Sequence, residues 1–198
     1  MRFTKIPEDT FERIQLNAGV LLSEFSVTSP PTEAEMLSNI VGATSGGVTF
    51  TASATYSDYG EDIDNCPKNT MELKKLDTWA VTMSGSYVTV TADSVASMLG
   101  AADAAAGKIT PRSDVLTTDF KDLWWVGDYS DKNGDTNGGM VAIHMMNTLS
   151  TGGFQLKSSD KSKGQFSFEY TAHYSIADQT TVPFEIYVKA GTAESTGS

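Results

Sequence analysis

The sequence predicts a mainly β fold with one principal α-helix, arranged as a sandwich or barrel, with a long inter-strand loop and an extended N-terminal arm. Three observations predict it. Residues 48–56 and 166–176 alternate apolar with polar side chains, the period of half-buried strands. The stretch from Asp122 to Met146 places paired tryptophans, an Asp/Asn/Gly turn and an apolar run in one candidate hairpin. A single alanine-rich stretch, residues 93–106, has helical spacing and is followed by Gly107. The expected organisation is one domain over residues 1–191, with residues 1–47 forming the arm and a short helix, and residues 192–198 a flexible tail.

Residues 1–25 mix apolar and charged side chains without a period, so either a strand or an arm that pairs with a neighbour fits them. Thr32 with Glu35 three positions on is a capping box, which predicts a short helix over Met36, Leu37, Ile40 and Val41, ended at Gly42. Val48, Phe50, Ala52, Ala54 and Tyr56 then share one strand face and Thr49, Thr51, Ser53 and Thr55 the other. The polar stretch from Ser57 to Thr70 is long for a hairpin connection. Trp79, Val81 and Met83 resume the alternation, and Gly85 reads as the turn of a second hairpin that continues through Val88 and Val90. In the helix from Asp93 to Ala106, Val95, Met98, Leu99 and Ala102 form the apolar face. After the connector 108–121 come the tryptophan hairpin and strands at 140–146, 154–157, 165–176 and 182–189, whose short loops predict an antiparallel meander.

Trp124 and Trp125 are adjacent on a strand and so point to opposite faces. The expectation is one indole in the chain's own core and one against a neighbour. Asp131, Asn133, Asp135 and Asn137 place oxygen side chains at alternate positions, as calcium loops do. Counted from Asp131, however, Thr136 stands where glycine is wanted and Ala142 where a bidentate glutamate is wanted. Counted from Asn133, Gly138 fits and His144 fills the glutamate position. The plain alternative is a turn whose side chains satisfy the backbone.

The formal charge of −11 argues against a protein that grips nucleic acid through its phosphates. No lysine or arginine lies between Arg13 and Lys68, while Asp58, Glu61, Asp62 and Asp64 do, so the first third is strongly acidic. A solvated acidic face is the plainest reading. The one cysteine, Cys66, excludes an intrachain disulfide framework. The N-terminus has no apolar signal core, and no stretch reaches the roughly 20 apolar residues of a membrane span, which predicts a soluble chain made in a cytosol. Phosphate loops, nucleophile elbows and zinc-protease motifs are all missing from the sequence. His144 and His173 lack a nucleophile nearby in sequence and read as structural or surface histidines, so no catalytic residue, cofactor or metal is assigned.

The strings TTDFKDLWWVGDYSDKNGDTNGG, TGGFQLKSSDKSKGQFSFEYTAHYS and VPFEIYVKAG resemble the major tail (tail tube) proteins of long-tailed phages and prophages, notably those of Gram-positive hosts. The resemblance covers Thr117 to Gly191 best. It implies a β-sandwich-like, non-enzymatic virion protein whose copies close into hexameric rings, and rings that stack into a tube conducting genomic DNA. Its partners would be other copies, tail proteins such as the tape measure and terminator, and DNA only in non-specific passage, with no membrane. It would be made in the host cytoplasm and end in the virion tail. On this reading the edges of the tryptophan hairpin, with Trp124 and Trp125, pair within a ring. The loop, with Tyr59, Gly60, Asp62 and Ile63, reaches the next ring, and Asp58, Glu61, Asp62 and Asp64 line the lumen. The competing class is a monomeric carbohydrate-binding β-sandwich with Trp124, Trp125 and Tyr129 as a stacking platform and calcium at Asp131 to Asn137.

Overall fold

The computed structural model describes residues 10, 14–15, 17–29, 31–130 and 139–190. In chain order the elements are β1 (Val20–Leu22), α1 (Glu33–Asn39), β2 (Ile40–Gly42), β3 (Thr44–Asp58), β4 (Lys74–Tyr87), α2 (Ala92–Leu99), β5 (Ala102–Ala105), β6 (Lys108–Pro111), β7 (Lys121–Ser130), β8 (Gly139–Ser150), β9 (Gln155–Lys157), β10 (Gln165–Thr171) and β11 (Phe184–Lys189). A nine-stranded antiparallel sheet follows the order β2-β1-β7-β8-β10-β4-β3, with β11 also on β8 and β9 on β10; β5 and β6 form a separate hairpin. The fold is mainly β, as expected.

β8 joins the two halves of this sheet. It pairs with β7, with β11 over Met140 to Met145, and with β10 only at Leu149 and Ser150. The halves face each other across one core. Leu21, Leu123 and Met145 from one side meet Val81, Met83, Tyr87, Phe168 and Tyr170 from the other, with Met98 of α2 closing an end. Burying each large apolar side chain is worth about 1.5–3 kcal/mol. The opposite face of β7 and β8 is covered too, by a second cluster of Leu22, Trp124, Val126 and Ala142 under Phe25 and Met36. Both faces of β8 are therefore buried, which accounts for its continuous apolar run.

β3 keeps the expected alternation: Val48, Phe50, Ala52 and Ala54 are half-buried while Thr49, Thr51, Ser53 and Thr55 are exposed. A bulge between Thr55 and Tyr56 breaks the register, and Tyr56 ends up exposed instead of continuing the apolar row.

Several boundaries differ from the sequence-based expectation. The Thr32–Glu35 capping box forms, but α1 ends at Asn39. Ile40 to Gly42 leave the helix to pair with β1. Gly85 is not a turn. β4 runs straight through it, and an added Cβ there would lie 2.8 Å from the Phe168 ring. α2 stops at Leu99 because Gly100, with φ 77° and ψ −66°, takes a backbone conformation open chiefly to glycine and donates to Ala96 O and Ser97 O. Ala102 is therefore in a strand, and Gly107 is the tip of the β5–β6 hairpin, where Ala106 also has positive φ. Arg112 ties this hairpin down, meeting Asp103 at 3.0 Å and Asp119 at 2.5 Å. The meander does not form either: β10 pairs chiefly with β4, and β11 with β8.

Candidate functional site

The β3–β4 hairpin projects the loop 59–73, and one carboxylate organises it. Asp58 ends β3, so its side chain sits at the loop's mouth. Its Oδ1 accepts from Gly60 N at 2.9 Å and its Oδ2 from Asn69 N at 2.8 Å. Lys74 Nζ approaches at 4.0 Å, and the Asp58 side chain is only 10 % exposed. The two backbone donors hold its carboxyl below the usual aspartate range; burial opposes them, and Lys74 and Lys68 add to the lowering. Asn65 and Asn69 take positive φ, a conformation asparagine tolerates better than most residues. Thr70 Oγ1 donates to Pro67 O at 2.7 Å, and Tyr59 N to Leu73 O at 3.0 Å.

This closed loop turns apolar side chains outward. Tyr59, Ile63 and Met71 are 58 %, 50 % and 79 % exposed, with Tyr56 and Leu76 exposed at its base. Gly60 is buried instead, where an added Cβ would lie 3.1 Å from Cys66 Sγ. Of the four acids assigned to a lumen, Glu61, Asp62 and Asp64 are exposed, Glu61 lying 4.0 Å from Lys68. Asp58 is turned into its own loop.

The tryptophan hairpin forms, as the β7–β8 pair, and each indole finds cover within the same chain. Trp125 packs toward the main core and donates from Nε1 to Ala18 O at 3.0 Å. Trp124, 9 % exposed, lies in the second cluster. His144 stacks on it, centroids 4.0 Å apart and planes 7° apart. Among the described residues the outer edge of β7 is paired only over Trp124 to Val126, by β1, and β11 pairs with β8 over Met140 to Met145. Asp131, Asn133, Asp135 and Asn137 lie outside the described residues. Among the described residues no group of His, Cys, Asp and Glu is placed to hold a metal, and no helix is long and apolar enough to cross a membrane.

A cavity of about 890 Å³ opens between residues 38–41, α2 and β7–β8, with His144, Asp122 and Tyr170 in its wall. Asp122 bridges the strands, accepting from Asn147 N at 3.0 Å and meeting His144 Nε2 at 2.9 Å. The other ring nitrogen, Nδ1, faces the Glu185 carboxylate at 3.8 Å, not a hydroxyl or thiol. The imidazole therefore has a carboxylate beside each ring nitrogen. The cavity's hydroxyls are likewise committed: Ser97 with the Tyr170 hydroxyl at 3.2 Å, Ser150 to Met98 O at 2.6 Å and Thr148 to Lys121 O at 2.6 Å. His173 has Nδ1 3.2 Å from Asn147 O and its ring in a T-shaped contact with Phe120.

Comparison with family models returned no match, and neither did comparison with curated proteins. Among solved structures, a chain of one described as "Virion of native gene transfer agent (GTA) particle" is similar over 87% of this chain and 96% of that chain, at 8% identity and a TM-score of 0.41.

Sequence reasoning found the loop but missed what closes it. Asp58 followed by Tyr59 and Gly60 is a local Asx-turn signal. Asn69, eleven positions away, has no such signature. The free edges of the nine-stranded sheet were missed as well. Among the described residues β3 pairs only with β4, and β11 only with β8.

Proposed function

We propose that this chain is a structural virion subunit that assembles with copies of itself into stacked hexameric rings, forming a tail tube through which DNA passes. The observation that carries the proposal is the β3–β4 hairpin. Its loop is locked by its own hydrogen bonds yet presents Tyr59, Ile63 and Met71 to solvent. Exposed apolar side chains on an ordered projection suit a docking element better than a mobile connection. The outer edge of β3 supports self-assembly too. Between its two bulges, Val48 to Thr55 contains no charge and no proline, the devices that protect an edge from pairing.

In this proposal the loop reaches the next ring, the β3 edge serves contacts within a ring, and Glu61, Asp62 and Asp64 present negative charge to the passing polyanion. Tape measure and terminator proteins would be its other partners, and the virion tail its location. The carbohydrate-binding alternative loses support because Trp124 has no open indole face. The test is electron microscopy with sedimentation of the purified chain. Ile63→Ser with Met71→Gln, or deletion of residues 60–67, is expected to leave folded subunits or rings that do not elongate. Full-length tubes from the substituted chain would contradict the role of the loop, and a wild-type chain that stays monomeric at high concentration would contradict the assembly itself.

A further inference from the structure

Strand β11 lies at an edge of the sheet formed by the described residues. Among the described residues, Phe184 to Lys189 pair with β8 on one side only. Ile186 and Val188 lie opposite Ile143 and Val141, on the face that elsewhere packs into the main core, yet they are 51 % and 62 % exposed. Glu185, Tyr187 and Lys189 occupy the other face. The strand is self-complementary in one register. When two copies run antiparallel about a two-fold axis through Tyr187, Glu185 of each stands opposite Lys189 of the other, and Ile186 opposite Val188. Directly opposed residues share a face and interact, opposite charges and apolar pairs favourably. Centring the axis one pair away, on Ile186 or Val188, loses the charge match.

We infer that the unassembled chain pairs with a second copy of itself through β11, in the register centred on Tyr187, joining the two sheets edge to edge. A two-fold interface closes on itself, so it describes the subunit before ring formation and leaves the β3 edge and the loop for assembly. Six residues of strand pairing with two apolar side chains per copy make a small interface, so the dimer is expected to be concentration-dependent.

The test uses the full chain in sedimentation below the assembly concentration. Lys189→Glu puts like charges opposite each other twice and is expected to weaken the dimer about tenfold. Glu185→Lys together with Lys189→Glu reverses both charges and is expected to restore it, and melting curves check that each variant is folded. A swap that stays as weak as the single variant overturns the register. A wild-type dimer that ignores Lys189→Glu, or a wild type that is wholly monomeric, overturns the pairing. Independently, in a Cys66→Ser background, Ile186→Cys chains mixed with Val188→Cys chains should cross-link on oxidation much faster than either variant alone. Equal rates overturn the inference even where tubes form, whereas tube formation with the expected cross-link leaves both proposals standing.

Discussion

The imidazole of His144 lies flat on the indole of Trp124 while its Nε2 meets the Asp122 carboxylate at 2.9 Å. Asp122 sits where the β7–β8 register shifts, and its other oxygen accepts from Asn147 N across the ladder. It therefore serves a side chain and, at Asn147, a backbone position with positive φ together. Asp122→Asn keeps an acceptor and should cost less than Asp122→Ala, which removes both exposed bonds at a net of at most about 0.5–1.5 kcal/mol each. Urea unfolding followed by tryptophan emission measures both; equal losses would show that the carboxylate's bonds contribute little.

Trp124→Ala should destabilise the isolated subunit by about 3–5 kcal/mol, as removal of a buried indole usually does. The same change at the half-buried Trp125 also removes the bond to Ala18 O, yet should cost less. A loss at Trp124 that appears only in assembly, with unfolding unchanged, would place its cover in a neighbouring chain.

Acid should open the loop 59–73. The folded-state value for Asp58 is lowered, so its contribution is complete above the ordinary aspartate range and disappears as pH falls through the lower folded value. Nuclear magnetic resonance shifts of the Gly60 and Asn69 amides should titrate together, with a midpoint below the ordinary 3.8. Asp58→Asn should abolish that titration. A midpoint at or above the ordinary value would contradict the lock.

Gly85→Ala should cost about 1–3 kcal/mol, the usual penalty of overpacking, because the new methyl would meet the Phe168 ring at 2.8 Å and Gly47 O at 3.1 Å. Phe168→Leu in the same chain should recover part of the loss. A double-mutant cycle by thermal unfolding tests it, and strict additivity would rule out the clash.

At the β5–β6 tip, Ala106 and Gly107 have φ of 50° and 78°. Ala106→Gly should stabilise by roughly 0.5–1 kcal/mol, while Gly107→Ala should destabilise by at least as much. Melting temperatures that move in the same direction for both would count against the turn geometry.

What could be read from sequence was local. The Thr32–Glu35 box and the alternation from Val48 to Ala54 depend on neighbours within a few residues, and both form. Gly85 was legible as special but not in its use, because a tight turn and the close approach of a ring call for the same residue. Helical spacing continues past Gly100 in the sequence because the alanines beyond it favour helix, yet they remain free to pair as strands. The pairing of β10 with β4, the burial of Trp124 under Phe25, and the reach of Asp58 to Asn69 are contacts between distant parts of the chain. Periodicity carries no information about such contacts.

The lock at Asp58 also decides when the loop's disorder is removed. Fixing a backbone residue costs about 1–2 kcal/mol, and a loop that ordered only on contact would subtract that cost from every association step. Here the ordering is completed within the single chain. In the proposed assembly the threshold concentration for polymerisation would then depend in part on a side chain that need touch no partner, and Asp58→Ala should raise that threshold while leaving the contacts between finished subunits unchanged.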